Sequence, residues 1–487
     1  MKKKFLTNLI FLLFVNLLIK PFWIFGIDRT VQNTVGANDY GFYFSLFSFS
    51  ILLNIVLDAG ITNYNNRNIA MHQHMLSKYL SNIVSIKVIL AAVYILVSFS
   101  VGLAIGYNMQ QFKLLFLLAF NQVLASFILY LRSNISGLHL FKTDSILSVL
   151  DRFLMIIICS SLLWGNIIPG EFKIEWFVYA QTLSYSLTAI ISLILVIRKA
   201  EWFKPRFNMI YLRLILRESY PFALLVLLMS FYNRIDSVMI ERLLTDGKEQ
   251  AGVYAQGFRI LDAAAAFALL FAGLLLPIFS RMIKQKENIL PIVQMAFELL
   301  IIPSLILAIV SWFYSKEIMD LLYPMHVNQA APIYALLMSG FVFISLSYIF
   351  GTLLTAGGNL KALNSLAAFT LILNVGLNFL LIPKLAAQGS AIASLSTQMF
   401  SALLQIWLCF RIFQLKIKLK QIFRFLLFLI LVVCSGFLLK AADISATYGI
   451  LLLFAAGLSV AVLVGFLKVK SAFAILKPVD KIKNHAE

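Results

Sequence analysis

The sequence is poor in charge and in the residues that soluble enzymes use for chemistry. Only 13% of its 487 residues are Asp, Glu, Lys or Arg, about half the share of an ordinary soluble domain. Neither the phosphate-loop pattern G-x-x-x-x-G-K-[ST] nor the zinc pattern H-E-x-x-H occurs. Residues that commonly bind metals are also few, with three cysteines and five histidines in the chain. We therefore predict no bound metal, no cofactor and no enzyme activity.

Apolar residues make up 61% of the chain, and the mean hydropathy is +0.92. Apolar runs of about 20 residues recur throughout, and this length crosses the hydrocarbon core as a helix. We predict an all-α integral membrane protein with about fourteen transmembrane helices. The predicted spans cover residues 8–31, 41–62, 79–106, 113–138, 145–168, 175–197, 219–240, 252–280, 289–314, 332–355, 362–383, 389–413, 421–440 and 448–467.

Lysine and arginine are unevenly distributed between the connections, and the net charge is +19. Most of them lie in alternate connections that share one side with both termini, which predicts that this side is cytoplasmic. Residues 198–218 interleave bases with apolar residues and predict a cytoplasmic amphipathic linker in the headgroup plane. The spread of charge indicates contact with membrane lipids and argues against nucleic acid as a partner. The predicted location is a bacterial cytoplasmic (inner) membrane, with both termini cytoplasmic.

The chain also resembles itself. Asp28 and Tyr40-Gly41-Phe42-Tyr43 correspond to Asp236 and Ala251-Gly252-Val253-Tyr254. Each half contains six spans, so the halves are predicted to be parallel repeats with a substrate site between them. The predicted units are an N-terminal lobe 1–197, the linker 198–218, a C-terminal lobe 219–413, spans thirteen and fourteen in 414–467, and a basic tail 468–487. Duplication without transport is the alternative interpretation.

Several ionisable residues lie within the predicted spans, where each costs about 2.5–3.5 kcal/mol at the membrane centre. They are Lys20, Lys87, Arg132, Arg152, Arg234, Arg259, Asp58, Asp151, Asp236, Asp262 and Glu298. Asp151 and Arg152 are adjacent, while Arg259 and Asp262 are three apart on one helix face and able to pair. Lys87 is expected to snorkel toward an interface.

Three of these bases belong to the spans that define the repeat. Lys20, Arg234 and Arg259 lie in the first, seventh and eighth spans, with too few nearby acids to pair them all. A cation that faces a cavity favours an anionic ligand, and the planar fork of arginine suits phosphate. A purely structural charge network is the alternative.

Ordered motifs along the whole chain resemble those of one family. They are Val35 to Gly41, Leu57 to Ile61, Asp236 to Ile240, Ala251 to Tyr254, Asn374 to Pro383 and Gln388 to Ala393. This series is similar to polysaccharide-export flippases, the O-antigen (Wzx-type) and polysaccharide-biosynthesis branch of the multidrug/oligosaccharidyl-lipid/polysaccharide (MOP) superfamily.

The resemblance implies a V-shaped two-lobe transporter with two extra C-terminal helices. It implies translocation of undecaprenyl-pyrophosphate-linked glycan repeat units to the outer leaflet, for O-antigen, lipopolysaccharide, capsule or exopolysaccharide biosynthesis. Polysaccharide polymerase machinery would be a further partner. In such relatives, bases of the central cavity bind pyrophosphate; the matching residues here are Lys20, Arg234 and Arg259, with Arg29 and Arg152 as weaker matches. The candidates for ion coupling or charge pairing are Asp58, Asp236 and Asp262.

Two other functions stay open. A drug/cation antiporter of the same superfamily would usually have twelve spans and a more acidic cavity. A membrane glycosyltransferase or polymerase would need carboxylates on a sizeable outer loop, whereas the acids here, such as Asp246, Glu249, Glu317 and Asp320, are scattered.

Overall fold

A computed structural model describes residues 16, 18–165, 170–200, 209–415, 419–442 and 444–466. Most of the amino-terminal part of the first predicted span, the middle of the linker and the tail 468–487 therefore lie outside the described residues. Within the described ranges the regular structure is helical, with no strand. The prediction of an all-α membrane protein is thereby confirmed.

Fourteen α-helices are described, together with three short helical stretches of other pitch. The α-helices are α1 (Arg29–Leu52), α2 (Ile61–Met71), α3 (Leu76–Ala104), α4 (Met109–Gly137), α5 (Phe141–Trp164), α6 (Ile174–Ala200), α7 (Met209–Leu243), α8 (Gly247–Lys284), α9 (Leu290–Phe313), α10 (Ser315–Leu322), α11 (Val327–Ala356), α12 (Leu360–Phe413), α13 (Leu419–Ala441) and α14 (Ala446–Leu463). A π-helical stretch, Phe22–Asp28, leads into α1, and 3₁₀ turns occupy Asn54–Leu57 and Gln73–Met75.

Eleven helices of the described residues are long and apolar enough to cross a membrane. One of them, α12, has 54 residues and would be about 80 Å long if straight, more than twice the hydrocarbon thickness. It is broken at Ala386, which has φ 50° and ψ −136°. Close by, a methyl group on Gly389 would overlap the backbone carbonyl of Leu381. The break falls between predicted spans eleven and twelve, so α12 contains both.

The first two predicted spans differ from the prediction in detail. Pro21 has no N–H to donate, and the helix that follows it adopts the wider π spacing before α1 begins. Gly36, at φ 80°, kinks α1 between the two spans. The expected end of the second span at residue 62 is wrong, because α1 stops at Leu52 and α2 starts only after the left-handed Gly60.

The amphipathic linker also differs from its prediction in its second half. Residues 209–218 extend the helix of the seventh span, since α7 begins at Met209 and continues to Leu243. They do not form a separate helix. Residues 201–208 lie outside the described part of the chain.

The chain divides into two compact units. The first comprises Met1–Ala263, Tyr323–Met325 and Leu360–Ser394. In it, the glycines that the repeat sets in equivalent positions meet at a close crossing of α1 and α8. A methyl group on Gly41 would overlap the backbone of Lys248 and Gly252, and one on Gly252 would overlap the carbonyl of Ala37. Small residues allow helix backbones to approach in this way in membranes.

The second unit comprises Ala264–Leu322, His326–Asn359 and Leu395–Glu487. Its core joins α9 to the two carboxy-terminal helices, with Tyr314 and Phe428 among the fully buried side chains. Gly436 and Gly449 face the rings of Phe313 and Tyr314, so α13 and α14 lie directly on α9. The lobes 1–197 and 219–413 stay a prediction.

Candidate functional site

Asp28, the last residue of the π-helical stretch, is the centre of a charged cluster in the first unit. Its carboxylate is 2% exposed. Tyr40 Oη donates a hydrogen bond to Oδ2 at 2.9 Å, and Arg259 Nε lies 3.0 Å from the same oxygen. Arg259 Nε also donates to Tyr40 Oη at 2.8 Å. The three side chains thus form a closed triangle that links α1 to α8.

Aromatic rings surround the Arg259 guanidinium. The guanidinium carbon, Cζ, lies 5.8 Å from the ring centre of Tyr40, 5.1 Å from that of Phe44 and 5.4 Å from that of Phe47. Cation–π attraction at these distances offsets part of the cost of removing the guanidinium from water. Arg259 is therefore held inside the unit and does not extend toward a membrane interface.

Arg234 forms the second ion pair of the cluster. Its Nη2 donates to both carboxylate oxygens of Asp262, at 3.1 and 3.0 Å. The predicted pair between Arg259 and Asp262 is wrong. Asp262 instead pairs with Arg234 of α7, and Arg259 pairs with Asp28. Sequence spacing shows which side chains share a helix face, but it does not reveal a competing partner on another helix.

The remaining predicted bases lie near these pairs. Arg152 Nη1 contacts the carboxylate of Asp151, its neighbour in sequence, at 2.6 Å and donates to Tyr185 Oη at 3.0 Å. Lys20 is within electrostatic range of both members of that pair. Asp28 is in turn within range of Arg152.

Arg29 and Arg234 each have a buried nitrogen without a hydrogen-bond partner. These atoms are Arg29 Nε and Arg234 Nη1, and neither has a partner among the described residues. Arg29 lies within electrostatic range of Tyr323, as do Arg259 and Asp28. A buried N–H without an acceptor costs about 1–3 kcal/mol, so both positions favour an acceptor that arrives with a ligand.

The cluster carries more positive than negative charge. The five predicted bases are accompanied by three carboxylates, which leaves two positive charges in excess. The bases are Lys20, Arg29, Arg152, Arg234 and Arg259, and the acids are Asp28, Asp151 and Asp262. The expectation that nearby acids are too few was made for Lys20, Arg234 and Arg259, and it is wrong for Arg234 and Arg259, which are both paired.

Asp236, the repeat partner of Asp28, has a different environment. It is 1% exposed and accepts from Tyr254 Oη at 2.9 Å, from Asn378 Nδ2 at 2.8 Å and from Asn374 Nδ2 at 3.3 Å. Ser390 Oγ donates to Asn378 at 2.7 Å. Within the described ranges no lysine or arginine pairs with Asp236. Its negative charge is stabilised by neutral hydroxyl and amide N–H donors.

Asp58 lies in the break between α1 and α2, and the side chain of Lys87 binds the backbone and the carboxylate at this break. Lys87 Nζ donates to Asp58 Oδ1 at 2.7 Å, to the Leu57 carbonyl at 3.0 Å and to Ser126 Oγ at 3.0 Å. Its side chain is 5% exposed. The expectation that Lys87 snorkels is therefore wrong, because all three N–H donors are used inside the unit.

The sequence pointed to the charges but not to their neutral partners. Tyr40, Asn374 and Asn378 all stand in the family-like motifs, yet no role was assigned to them. The spacing of Asn374 and Asn378, four residues apart on one helix face, is a signal that could have found this pair. Tyr185 carries no comparable signal.

Comparisons with known proteins agree with the fold. A family model described as "Polysaccharide biosynthesis protein" matches residues 5–283. A search of curated proteins finds no significant match.

Among solved structures, the chain is similar to the lipid II flippase MurJ in an inward closed conformation. The TM-score is 0.70 at 14% identity, covering 95% of this chain and 100% of that one. It is also similar to an inward-facing MATE-family multidrug resistance transporter of the MOP superfamily, with TM-score 0.60, 16% identity and coverage of 79% and 93%. A third similar structure is a MOP-superfamily transporter from Pyrococcus furiosus, with TM-score 0.52 at 16% identity. The match covers 84% of this chain and 93% of that one. At these identities the likeness shows the fold, which is that of MOP-superfamily transporters.

Proposed function

The chain belongs to the polysaccharide biosynthesis protein family, and from this premise we propose that it is a lipid-linked oligosaccharide flippase. It moves undecaprenyl-pyrophosphate-linked glycan repeat units from the cytoplasmic to the outer leaflet of a bacterial inner membrane, with both termini in the cytoplasm. Its product feeds polysaccharide polymerase machinery for O-antigen, capsule or exopolysaccharide. The two lobes, 1–197 and 219–413, alternate access to the substrate.

The charge excess of the cluster is the observation that carries this proposal. Five bases against three carboxylates leave two positive charges, and a pyrophosphate diester carries about two negative charges at neutral pH. The match favours pyrophosphate over the cationic drugs that an antiporter would bind. The described α13 and α14 also favour the flippase, because such antiporters usually have twelve spans.

Binding would begin at the nitrogens that lack an acceptor. Arg29 Nε and Arg234 Nη1 are buried and unsatisfied among the described residues, so phosphate oxygens there would add hydrogen bonds without breaking existing ones. Lys20 supplies a third cation near the Asp151–Arg152 pair. Asp28 and Asp262 balance the charges of Arg259 and Arg234 and hold both guanidinium groups inside the first unit.

Outward movement needs no nucleotide. A negative cell interior favours export of the anionic headgroup by about 2.3 kcal/mol per charge per 100 mV. A coupled ion would act separately, and Asp236 suits it best among the three candidates. Asp58 and Asp262 already pair with Lys87 and Arg234, whereas the described partners of Asp236 are neutral.

The proposal is tested by alanine substitution of Lys20, Arg29 and Arg234, one at a time, in cells that make the surface glycan. We expect lipid-linked oligosaccharide to accumulate on the cytoplasmic leaflet at normal protein level. Arg411→Ala is the matched control, since Arg411 is an exposed base stacked on Trp407. Normal export by all three variants would exclude these bases as the substrate site.

A further inference from the structure

A cavity of about 550 Å³ in the first unit is lined by residues other than those of the charged cluster. It is formed where α1 kinks and where α4 and α6 begin. Its lining includes Asp39, Phe42, Gln110, Glu171, Phe172 and Glu175. These residues come from the connections between spans one and two, three and four, and five and six. All three connections therefore lie on one side, the side opposite the predicted cytoplasmic termini.

The lining of this cavity is acidic. Among its lining residues, three carboxylates, those of Asp39, Glu171 and Glu175, outnumber one base, Lys173. A second base, Lys248, lies over the ring of the lining residue Phe42, so the acids remain in excess. This sign is opposite to that of the charged cluster. Phosphate, a uronic acid and an anionic lipid headgroup would all be repelled. A ligand of this cavity must be neutral or carry an amino group.

The carboxylates do not form a metal site. Among the described residues, no three Asp, Glu, His or Cys side chains converge closely enough to hold a metal ion. The same wall also contains aromatic rings and the amide of Gln110. Such a wall provides separate acceptors for several hydroxyl groups on one ligand.

The apolar part of the wall includes two phenylalanines, Phe42 and Phe172. Phe172 is half-buried between Glu171 and Lys173. Phe42 is 6% exposed, and Lys248 Nζ lies 4.6 Å above its ring centre. Binding sites for small molecules typically combine such apolar faces with a few polar groups that fix orientation. A pyranose ring likewise combines apolar and polar surfaces, because C–H groups cover its faces and hydroxyl groups line its edge.

Local backbone structure fixes the position of the acids. Gly36, at φ 80°, turns the chain between Thr34 and Asp39. Glu175 lies in the first turn of α6, where the helix dipole stabilises its carboxylate. A second cavity of about 190 Å³ shares Thr34 and Phe172 with the first. The two together form an extended groove.

We propose that this groove is a sugar-binding site for the uncharged glycan of the lipid-linked substrate. The inference rests on the proposed function, because it assigns the groove to the outer face where flipped headgroups emerge. The carboxylates accept hydrogen bonds from hydroxyl groups at the sugar edge, Gln110 both accepts and donates there, and Phe172 covers one face. The acidic wall makes the site selective: neutral or amino sugars bind, and acidic sugars do not.

The test is ligand-observed saturation-transfer NMR on the full-length protein in nanodiscs. The probe is the neutral oligosaccharide fraction released by mild acid from the host's own polyprenyl-linked pool. We expect saturation transfer to these sugars, and binding about tenfold weaker in the double variant Asp39→Ala/Glu175→Ala, which loses two acceptors. The control is Asp246→Ala, which removes another exposed acid, one that bonds Gln250 outside the groove.

Two results would overturn the inference: no transfer in the wild-type protein, or equal transfer in the wild type and the double variant. A folded Phe172→Ala variant provides an independent check, because it removes the stacking face and leaves every carboxylate. The measurement requires no flipping. Failure of the groove therefore stays distinct from failure of the flippase proposal, which the Arg234→Ala export assay addresses.

Discussion

Arg259 of α8 and Asp28 of the first span form an ion pair at 3.0 Å, with side chains 14% and 3% exposed. Tyr40 bonds both partners, so neither charge depends on water. Breaking such a pair from one side leaves an uncompensated buried charge, which costs about 3–5 kcal/mol. Removing both charges together costs far less.

The first prediction follows from this relationship. Arg259→Met should unfold at a markedly lower temperature than the wild type in detergent, because Asp28 is left without its cation. The double variant Asp28→Asn/Arg259→Met should recover most of the loss. Equal stability of the single and double variants would contradict the coupling. The double variant also removes Arg259 for export assays without stranding Asp28.

The second prediction concerns Lys87 and the helix break. Lys87→Met removes the donor to the carbonyl of Leu57, so the backbone near the 3₁₀ turn loses its anchor. We expect faster hydrogen–deuterium exchange over residues 53–62, measured by mass spectrometry. Ser85→Ala, which removes only a hydroxyl bonded within α3, serves as the control. Unchanged exchange in Lys87→Met would indicate that the break is held by other contacts.

Much of this architecture follows from the sequence because lipid makes hydropathy a strict guide. The break in α12 fell at the predicted boundary between spans eleven and twelve. Gly41 and Gly252, which correspond in the repeat, also lie where the backbones of α1 and α8 touch. The break after Leu52 was missed, since residues 53–57 are nearly as apolar as the helix before them.

The ion pairs were harder to predict than the charges. Insertion cost identifies residues that must be compensated, and it selected Asp28's eventual partner, Arg259. The insertion cost does not identify the residue that neutralises each charge. The partner of Arg259, Asp28, lies more than 200 positions away in sequence. Local spacing suggested Asp262 for Arg259, yet Arg234 holds Asp262. Neutral partners such as Asn378 carry no insertion signal of comparable strength.

The third prediction tests the glycine crossing. Gly41→Ala and Gly252→Ala each place a methyl group against backbone atoms of the other helix, and backbone cannot move aside as a flexible side chain can. We expect sharply reduced levels of folded protein, assessed by size-exclusion chromatography in detergent. Gly273→Ala is the control, because a methyl group there meets no atom within 4 Å. Normal folding of both crossing variants would show that the helices separate at little cost.

The fourth prediction compares two of the three aspartates proposed for ion coupling, Asp236 and Asp58. Asp236→Asn should stay folded, because its described partners are neutral donors, but it should lose any stabilisation by sodium or by protons. Asp58→Asn should instead lose stability in every buffer, since Lys87 is left without its carboxylate. The measurement is the unfolding temperature across sodium concentrations and pH. An Asp236→Asn variant that keeps the wild-type ion response would exclude this residue.

The last prediction separates charge from geometry at Arg234. This guanidinium bonds both oxygens of Asp262 through Nη2, and its buried Nη1 has no partner among the residues that the structure describes. Arg234→Lys keeps the charge and the ion pair with Asp262, but an ammonium cannot present a second, fixed donor to a phosphate oxygen. We expect Arg234→Lys to be as stable as the wild type and to export surface glycan at a reduced rate. Arg234→Ala should abolish export. Export rate and unfolding temperature are measured on the same preparations, with Arg411→Lys as the control. If Arg234→Lys exports at the wild-type rate, Arg234 acts through its charge alone, and the unpartnered Nη1 is not a contact to the substrate.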